Sequence, residues 1–458
     1  MPVKTDRESR NSVSEALSAS LQTLLFPSHL ELLPQVNEVY ELELALCESR
    51  LLSDEEIIRN GAYFARVGDT LTRHFLMCSG QPLKLPDHSS SRLRSFFGTN
   101  QFKTGYGTHG LFPYRGKFHP QMIKGLINVM GLKPGNTVLD PMMGSGTVLI
   151  EAALMGIDSV GIDASPFCRF MTETKLAALR LRLDPVRVAL RESRAVFEHF
   201  KRVAGRPDVG RKIEGQNSLF ARSSDSLKKE TLSAGGGLPN GCDEKDVLDF
   251  LLLAYLDSAG YAERSTRVAL FDQFHSILER YYFVVEKIQR IIAGTESELG
   301  RARALEGDAR TLPLGDESID GIIFSPPYSF AIDYLDNDLF HLRYMGVDVK
   351  SLRDRMIGLR GRALREKYDY FKHDMDRVLS ECSRVLKPAK LCSIVVGTNT
   401  NQLSRILGVP PGEVPGTDDL MGHLGARHNL SYLRKISRQI TGMANTMRTE
   451  YIVMLQKA

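Results

Sequence analysis

The spacing of apolar positions along this chain alternates between one typical of helices and one typical of short strands. Between residues 14 and 80 the apolar side chains recur at helical spacing. A stretch rich in Pro, Asp, Ser and Arg then predicts a linker at about 85–95. We therefore interpret residues 1–100 as a helical N-terminal extension.

From about residue 101 onward, compact apolar runs alternate with helical segments. A strand is predicted over 137–140, a helix over 147–155 and a second strand over 159–163, which is the spacing of a βαβ unit. This alternation predicts an α/β fold with a Rossmann-like, mostly parallel sheet and a terminal antiparallel hairpin. The later strands are predicted at 320–324, 391–397, 431–440 and 449–456, with a helix at about 362–386.

A long helical segment interrupts this alternation of strands and helices. Residues 203–244 are rich in Gly, Ser, Lys and Asn with few large apolar side chains, which is typical of a mobile loop. We interpret 179–295 as a helical insertion between two halves of one domain, 101–178 and 296–458. Its helices are predicted at 182–200, 246–259 and 265–292.

Composition narrows the class of protein. Hydrophobic residues make up 42% of the 458 residues and charged residues 25%, as in ordinary globular proteins, and the net charge of +4 is only mildly basic. The six cysteines form no C-x-x-C pair, so the pattern predicts neither a disulfide framework nor a metal site. No apolar run reaches about 18 residues and the N-terminus lacks a signal peptide's apolar region, so we expect a cytoplasmic protein without a membrane span.

A loop with the sequence DPMMGSGT follows the first predicted strand at residues 140–147. Gly144 and Gly146 let the backbone turn tightly and approach a ligand, and the following helix offers N–H donors. Loops at the carboxyl ends of such strands hold nucleotide-like cofactors, and Asp163 at the next strand's end could accept hydrogen bonds from ribose. A plain strand–turn–helix connection is the alternative. The predicted cofactor-binding residues here are Asp140, Pro141, Gly144, Ser145, Gly146, Thr147 and Asp163.

The segment THGLFPYRGKFHPQ at residues 108–121 leads into a further helix. Pro120 suits the first turn of that helix, and Phe118 could close over one end of a bound cofactor. His109 and His119 are alternatively loop histidines without a functional role.

The tetrapeptide Ser-Pro-Pro-Tyr at residues 325–328 follows the buried strand at 320–324. The exocyclic amine of a nucleic-acid base is a poor nucleophile, because its lone pair is delocalised into the ring. Ser325 Oγ and the Pro326 carbonyl can accept the hydrogens of such an amine, and the fixed φ of Pro326 and Pro327 keeps the loop stiff. Tyr328 could stack on a flipped-out base. A simple turn is the alternative.

Taken together, these motifs resemble the class I S-adenosylmethionine-dependent amino-methyltransferases of nucleic acids, over residues 101–178 and 296–458. The resemblance implies that the Rossmann-like sheet has seven strands. In that resemblance 140–147 is the cofactor loop and 325–328 the catalytic tetrapeptide. Phe118, His119 and Pro120 would border the cofactor's methionine, and Asp308, in Gly307-Asp308-Ala309, would contact its adenine.

The resemblance also implies a substrate. In that family a serine at the first tetrapeptide position is typical of DNA cytosine N4 enzymes, whereas aspartate is commoner in adenine N6 and guanine N2 enzymes. Ser325 therefore favours a site-specific DNA cytosine-N4 methyltransferase of the restriction–modification type, with S-adenosylmethionine as cofactor, no metal, and a possible restriction partner that the sequence leaves open. An RNA base amino-methyltransferase and a catalytically idle nucleic-acid-binding protein remain the alternatives.

Nucleic-acid contacts are predicted in three places. The insertion at 179–295 is the candidate for target recognition, because no large separate recognition domain follows the tetrapeptide. A basic cluster could neutralise phosphates beside the active site, although it could equally be a solvated helix face. Its predicted nucleic-acid-binding residues are Arg353, Arg355, Arg360, Arg362, Arg365 and Lys367. Interleaved aromatic and basic residues would suit a flipped base or the cofactor: Phe102, Lys103, Tyr106, Tyr114, Arg115 and Lys117.

Overall fold

The fold is built on one large mixed sheet. The computed structural model describes residues 21–79, 104–114, 116–204, 244–262, 269–295, 298–327, 334–439 and 449–458. In these ranges the strands are β1 (Leu30–Leu32), β2 (Phe64–Val67), β3 (Thr70–Leu71), β4 (Thr137–Asp140), β5 (Asp158–Asp163), β6 (Ala302–Glu306), β7 (Ile319–Phe324), β8 (Leu386–Gly397), β9 (Leu430–Gln439) and β10 (Thr449–Lys457).

The helices of the same ranges are also numbered in chain order. They are α1 (Leu21–Leu25), α2 (Val39–Leu51), α3 (Asp54–Asn60), α4 (Arg73–Ser79), α5 (Pro120–Val129), α6 (Thr147–Leu154), α7 (Pro166–Ala177), α8 (Leu183–Arg191), α9 (Ser193–Ala204), α10 (Glu244–Ala262), α11 (Leu270–Ala293), α12 (Tyr334–Tyr344), α13 (Val349–Arg355), α14 (Leu364–Val385), α15 (Thr400–Leu407) and α16 (Thr417–Ala426). No helix in the described ranges combines the length and apolarity needed to cross a bilayer.

Among the described residues, seven strands form the main sheet in the order β6-β5-β4-β7-β8-β10-β9. The pairs from β6 to β8 are parallel, whereas β10 runs antiparallel to both β8 and β9. All six residues of β7 are buried, as expected of a strand covered on both faces. The predicted Rossmann-like sheet with a terminal antiparallel hairpin is therefore confirmed.

Helices cover both faces of this sheet, which explains the apolar runs of its strands. On one face Val138 and Ile323 share a core with α5 and α6. On the other face Leu139 and Ile322 pack in a core with α14, for example with Met375. Successive strand residues point to opposite faces, so each of these two central strands contributes to both cores.

The N-terminal extension contains helices, as predicted, and also a small antiparallel sheet of β1, β2 and β3 that the helical spacing did not indicate. These strands are only two to four residues long, too short to show a period of two. The extension packs directly on α5: Gln121 Nε2 donates to the Ala62 carbonyl at 3.0 Å, and Asn128 Nδ2 donates to Glu48 Oε1 at 2.6 Å.

The insertion packs against the sheet domain. The single helix predicted over 182–200 is two helices, α8 and α9, divided at Glu192, where the backbone leaves the helical conformation. Gln289 Nε2 on α11 donates to the carbonyls of Ala178 and Leu181 at 3.0 and 2.8 Å. The predicted mobile loop lies outside the described residues from 205 to 243.

Candidate active site

Two motif-bearing loops leave the sheet side by side. Strands β4 and β7 are parallel neighbours, with Val138 opposite Gly321 and Leu139 opposite Ile322. Because the carboxyl ends of parallel strands meet at one edge, the glycine loop that begins at Asp140 and the tetrapeptide that begins at Ser325 emerge together. The fold thus brings together two predicted motifs that are far apart in sequence.

The glycine loop adopts the conformation that glycine favours. Gly144 and Gly146 have φ angles of +48° and +76°. Asp163 Oδ2 accepts the amide hydrogen of Gly144 at 2.9 Å, and Thr172 Oγ1 on α7 donates to the Gly144 carbonyl at 3.2 Å. Lys175, also on α7, donates to the Ser145 carbonyl at 3.5 Å, and burial lowers the pKa of this lysine well below its usual value. Helix α7 therefore holds the loop from one side.

Several predicted cofactor residues of the loop face inward. Asp140 is fully buried, and its Oδ1 accepts the Met142 amide hydrogen at 3.0 Å. Burial raises the pKa of Asp140 well above its usual range. Ser145 and Thr147 are buried too, with their hydroxyl oxygens 3.5 Å apart. In the structure these three side chains shape the loop, whereas Met142 and Gly144 are only half-buried.

The segment after β6 lies beside Asp163. The Gly307 amide donates to the Asp163 carbonyl at 2.9 Å, which places Asp308 next to the predicted ribose acid. The side chain of Asp308 is 40% exposed and pairs with Arg310 at 2.7 Å. Partial burial acts to raise the pKa of the Asp308 carboxyl, but the hydrogen bonds from Arg310 outweigh this effect and hold the pKa below its usual value.

The segment before α5 contacts the glycine loop through a tyrosine. A methyl group on Gly144 would lie 3.5 Å from the ring of Tyr114, whose hydroxyl is 3.4 Å from Cys168 Sγ. Pro120 occupies the first turn of α5, as the sequence predicts. Phe118 is half-buried and His119 is buried.

Two of the interleaved aromatic and basic residues, Tyr106 and Lys117, bind groups of the protein itself. Tyr106 is only 1% exposed, and its hydroxyl donates to Glu151 Oε1 at 2.6 Å. His109 Nε2 lies 2.7 Å from the same oxygen, and Lys117 donates to the carbonyls of Thr104 and His109. The prediction of base contact by Tyr106 is wrong, because a carboxylate on α6 binds it inside the core. Phe102, Lys103 and Arg115 lie outside the described residues.

The Ser-Pro-Pro-Tyr tetrapeptide, for which a catalytic role is predicted, is described up to its third residue. Ser325 Oγ is 3.5 Å from the Pro326 carbonyl oxygen, so both predicted acceptors lie close together. Ser325 and Pro327 are half-buried, whereas Pro326 is buried. Tyr328 lies outside the described residues.

The basic cluster flanks this tetrapeptide, but its members differ. A methyl group on Gly358 would lie 3.7 Å from Pro327 Cβ, which puts the segment around it beside the active site. Arg360 pairs with fully buried Asp374, so it has a structural partner. Arg355 and Arg362 are exposed. Of the others, Arg353 pairs with Asp336, Arg365 pairs with Asp369 and Lys367 is half-buried.

The accessible groups at this edge suit S-adenosylmethionine. Partly buried Asp163 and Asp308 offer carboxylate oxygens that can accept hydrogen bonds, and Gly144 leaves room for close approach. Thr172, which supports the loop from α7, is not predicted from the sequence, because it belongs to no motif. Tyr114 is predicted only as one of the interleaved aromatic and basic residues that would suit a flipped base or the cofactor. Among the described residues, no group of three or more His, Cys, Asp or Glu side chains could hold a metal ion.

Comparison with known proteins agrees with this geometry. A family model described as "UPF0020: RMKL-like, methyltransferase domain" matches residues 111–217. The Type II methyltransferase M.BsoBI of Geobacillus stearothermophilus is 24% identical over 290 residues, 54% of each chain. The Type II methyltransferase M.MvaI of Kocuria varians is 21% identical over 452 residues, covering 81% of this chain and 94% of that one.

A third relative matches over a shorter stretch. The tRNA (guanine(10)-N2)-dimethyltransferase of Methanothermobacter thermautotrophicus is 44% identical over 52 residues, 11% of this chain and 16% of that one. The chain thus spans about half the length of M.BsoBI and a small part of the tRNA enzyme. The fold, the family match and these relatives together identify in this chain a methyltransferase domain of the class that uses S-adenosylmethionine.

Proposed function

We propose that the chain transfers a methyl group from S-adenosylmethionine to the exocyclic amino group of a base in DNA, with cytosine N4 as the target. The observation that carries the proposal is the parallel pairing of β4 with β7, which sets the glycine loop beside the Ser325 tetrapeptide. Cofactor and base would meet between these two loops.

The residues of the tetrapeptide supply the hydrogen-bond acceptors that a base amine needs when it receives a methyl group. S-adenosylmethionine provides a methyl group already activated by its sulfonium. The base nitrogen must regain its lone pair from the ring, and its hydrogens become more acidic as it turns tetrahedral. Ser325 Oγ and the Pro326 carbonyl, 3.5 Å apart, can accept those hydrogens, and this contact strengthens in the transition state.

Charge beside the tetrapeptide supports a nucleic-acid substrate. Exposed Arg355 and Arg362 border the segment that contacts Pro327 through Gly358. Cations at the mouth of the site can neutralise phosphates and hold the strand from which a base is flipped. Arg360 contributes less to such a surface, since Asp374 holds its guanidinium.

The similarity to two Type II methyltransferases favours DNA over RNA, and Ser325 favours cytosine over adenine. RNA is the second candidate because of the match to a tRNA guanine methyltransferase, although the family resemblance assigns aspartate to the position of Ser325 in such enzymes. We also propose that the insertion, including residues 205–243, reads the target.

The test is nucleoside mass spectrometry after incubation with S-adenosylmethionine. Duplex DNA and total tRNA are offered separately, and both are digested to nucleosides. N4-methylcytosine in DNA is the expected product. N6-methyladenine would move the target to adenine, a methylated guanine in tRNA would establish the RNA alternative, and no methylation of any base with tightly bound cofactor would indicate a binding protein.

A further inference from the structure

A side chain of helix α11 in the insertion forms a hydrogen bond with the backbone of the segment that borders the glycine loop. The hydroxyl of Tyr281 accepts the amide hydrogen of Phe112 at 2.7 Å, across 169 positions of sequence. The same hydroxyl donates to Asp257 Oδ2 on α10 at 3.2 Å, and Arg280 also donates to that oxygen at 2.9 Å. Tyr281 is fully buried, so neither bond is shared with bulk solvent.

Phe112 needs such a partner because its backbone is strained. Its φ is +55°, in the left-handed region, which a bulky residue rarely adopts and which the following Pro113 further disfavours. The surrounding structure must therefore hold it there. The Phe112 carbonyl in turn accepts the Tyr114 amide hydrogen at 2.9 Å, which fixes the chain direction on both sides of Pro113.

Two glycines of this segment also lie close to side chains of α11. A methyl group on Gly107 would lie 3.4 Å from the Ile288 side chain, and one on Gly110 would lie 3.5 Å from Val284. Both partners sit on the same helix as Tyr281. The chain between Gly107 and Phe112 thus lies directly along α11.

The turn at Phe112 determines where Tyr114 lies. Two residues after the Tyr281 hydrogen bond, the Tyr114 ring lies against Gly144 of the cofactor loop. The Phe112 ring packs on Phe167 in the first turn of α7, with centroids 5.2 Å apart. Helix α7 itself follows Asp163 and supports the glycine loop through Thr172.

We infer that Tyr281 is a positioning residue through which the insertion holds the Phe112–Tyr114 turn against the glycine loop and so sets the affinity for S-adenosylmethionine. This inference rests on the proposed function, since it takes the glycine loop as the cofactor site. It gives the insertion's helices a role that is separate from target recognition. Asp257 orients the Tyr281 hydroxyl by accepting its hydrogen.

The neighbouring tyrosine on α11 provides a matched control. The Tyr282 hydroxyl instead accepts hydrogen bonds from Arg187 on α8, at 2.8 and 3.0 Å. Tyr281→Phe and Tyr282→Phe therefore remove the same atom from adjacent positions, each time with loss of hydrogen bonds. Only the first leaves the Phe112 amide without its acceptor.

The experiment measures cofactor binding by titration calorimetry and amide hydrogen exchange of residues 105–114 in the full chain. Tyr281→Phe should bind S-adenosylmethionine about three- to tenfold more weakly, because a buried backbone donor loses its partner, and the Phe112 amide should exchange faster. Tyr282→Phe should match wild type in both. DNA affinity, measured without cofactor, should be unchanged in both variants.

Three results would overturn the inference. They are wild-type cofactor affinity in Tyr281→Phe, equal weakening in both variants, and unchanged exchange at Phe112. Should Tyr281→Phe fold poorly, Asp257→Asn, which leaves the tyrosine in place but alters its acceptor, should show the same weakening in smaller degree. A wild-type protein that does not bind S-adenosylmethionine would contradict the proposed function instead, and the exchange rates would still decide whether Tyr281 holds Phe112.

Discussion

Asp163 accepts two backbone hydrogen bonds, from Gly144 at 2.9 Å on Oδ2 and from Ser165 at 2.8 Å on Oδ1. One carboxylate thus ties the loop after β4 to the start of α7. Each oxygen has a second lone pair, so Asp163 can also accept hydrogens from a ribose without releasing either amide.

The cofactor affinity should depend on the charge of Asp163. Burial raises the pKa of Asp163 above its usual value. The ionised carboxylate can accept hydrogens from the ribose with both of its oxygens. The affinity for S-adenosylmethionine should therefore be highest above this pKa and decrease as the pH falls through it. Titration calorimetry at successively lower pH would show the loss. Asp163→Asn should bind at least about tenfold more weakly and should lack this pH dependence; an unaltered pH profile would assign the titration to another group.

Gly146→Val should abolish binding of S-adenosylmethionine. A Cβ at this position would overlap the Thr172 side chain, and the φ of +76° is strained for valine. Gly408→Val is the control, because Gly408 has a φ of +71° and nothing within 4 Å of the added carbon. Calorimetry of both variants separates the effect of disrupting the glycine loop from the conformational cost of a valine at positive φ. Tight binding by Gly146→Val would contradict the loop assignment.

Ser325→Ala should slow methyl transfer with little change in substrate or cofactor affinity. It removes one acceptor whose contact strengthens as the amine becomes tetrahedral, so kcat should fall by about ten- to a hundredfold. Tyr328→Ala, chosen from the sequence alone, should weaken DNA binding as well, because a stacking platform contributes about 1 to 3 kcal/mol per base. Single-turnover methyl transfer measured beside DNA binding distinguishes them. A Ser325→Ala protein with the wild-type rate would remove the tetrapeptide from the mechanism.

Asp374→Ala should destabilise the protein by about 3 to 5 kcal/mol, because two guanidinium groups, those of Arg310 and Arg360, lose a buried partner. Arg362→Ala, in the same region but exposed, should leave the free energy of unfolding within about 0.5 kcal/mol of wild type. It should instead reduce the salt dependence of DNA binding by about one unit of slope. Denaturant unfolding and salt titration measure both effects. Wild-type stability in Asp374→Ala would show that this carboxylate does not anchor the two arginines, and an unchanged salt slope in Arg362→Ala would remove Arg362 from the DNA-binding surface.

Replacing residues 205–242 by a short Gly-Ser linker should leave cofactor affinity intact while changing DNA affinity or sequence preference. The helices α8 to α11 remain in this variant, including Tyr281. Calorimetry and mapping of methylated sites would test it. An unchanged methylation pattern would make the segment a passive linker.

Local signals were sufficient to locate the two central loops. Glycine at 144 and 146 predicted a backbone that the structure shows with positive φ, and the apolar run at 320–324 predicted a buried strand that ends before Ser325. Short strands carried less information: β2 and β3, at two to four residues, show no period by which they could be found.

The sequence by itself determined where β4, β5 and β7 lie and that a glycine-rich turn follows β4, because turn residues and apolar spacing act over a few positions. Only the tertiary structure decided which polar side chains are available. Tyr106 is held by Glu151, 45 positions away, and Tyr281 reaches Phe112 across 169 positions. A polar side chain is available to a ligand only if the packed core does not bring it a hydrogen-bond partner. That partner is distant in sequence, so no local pattern indicates it.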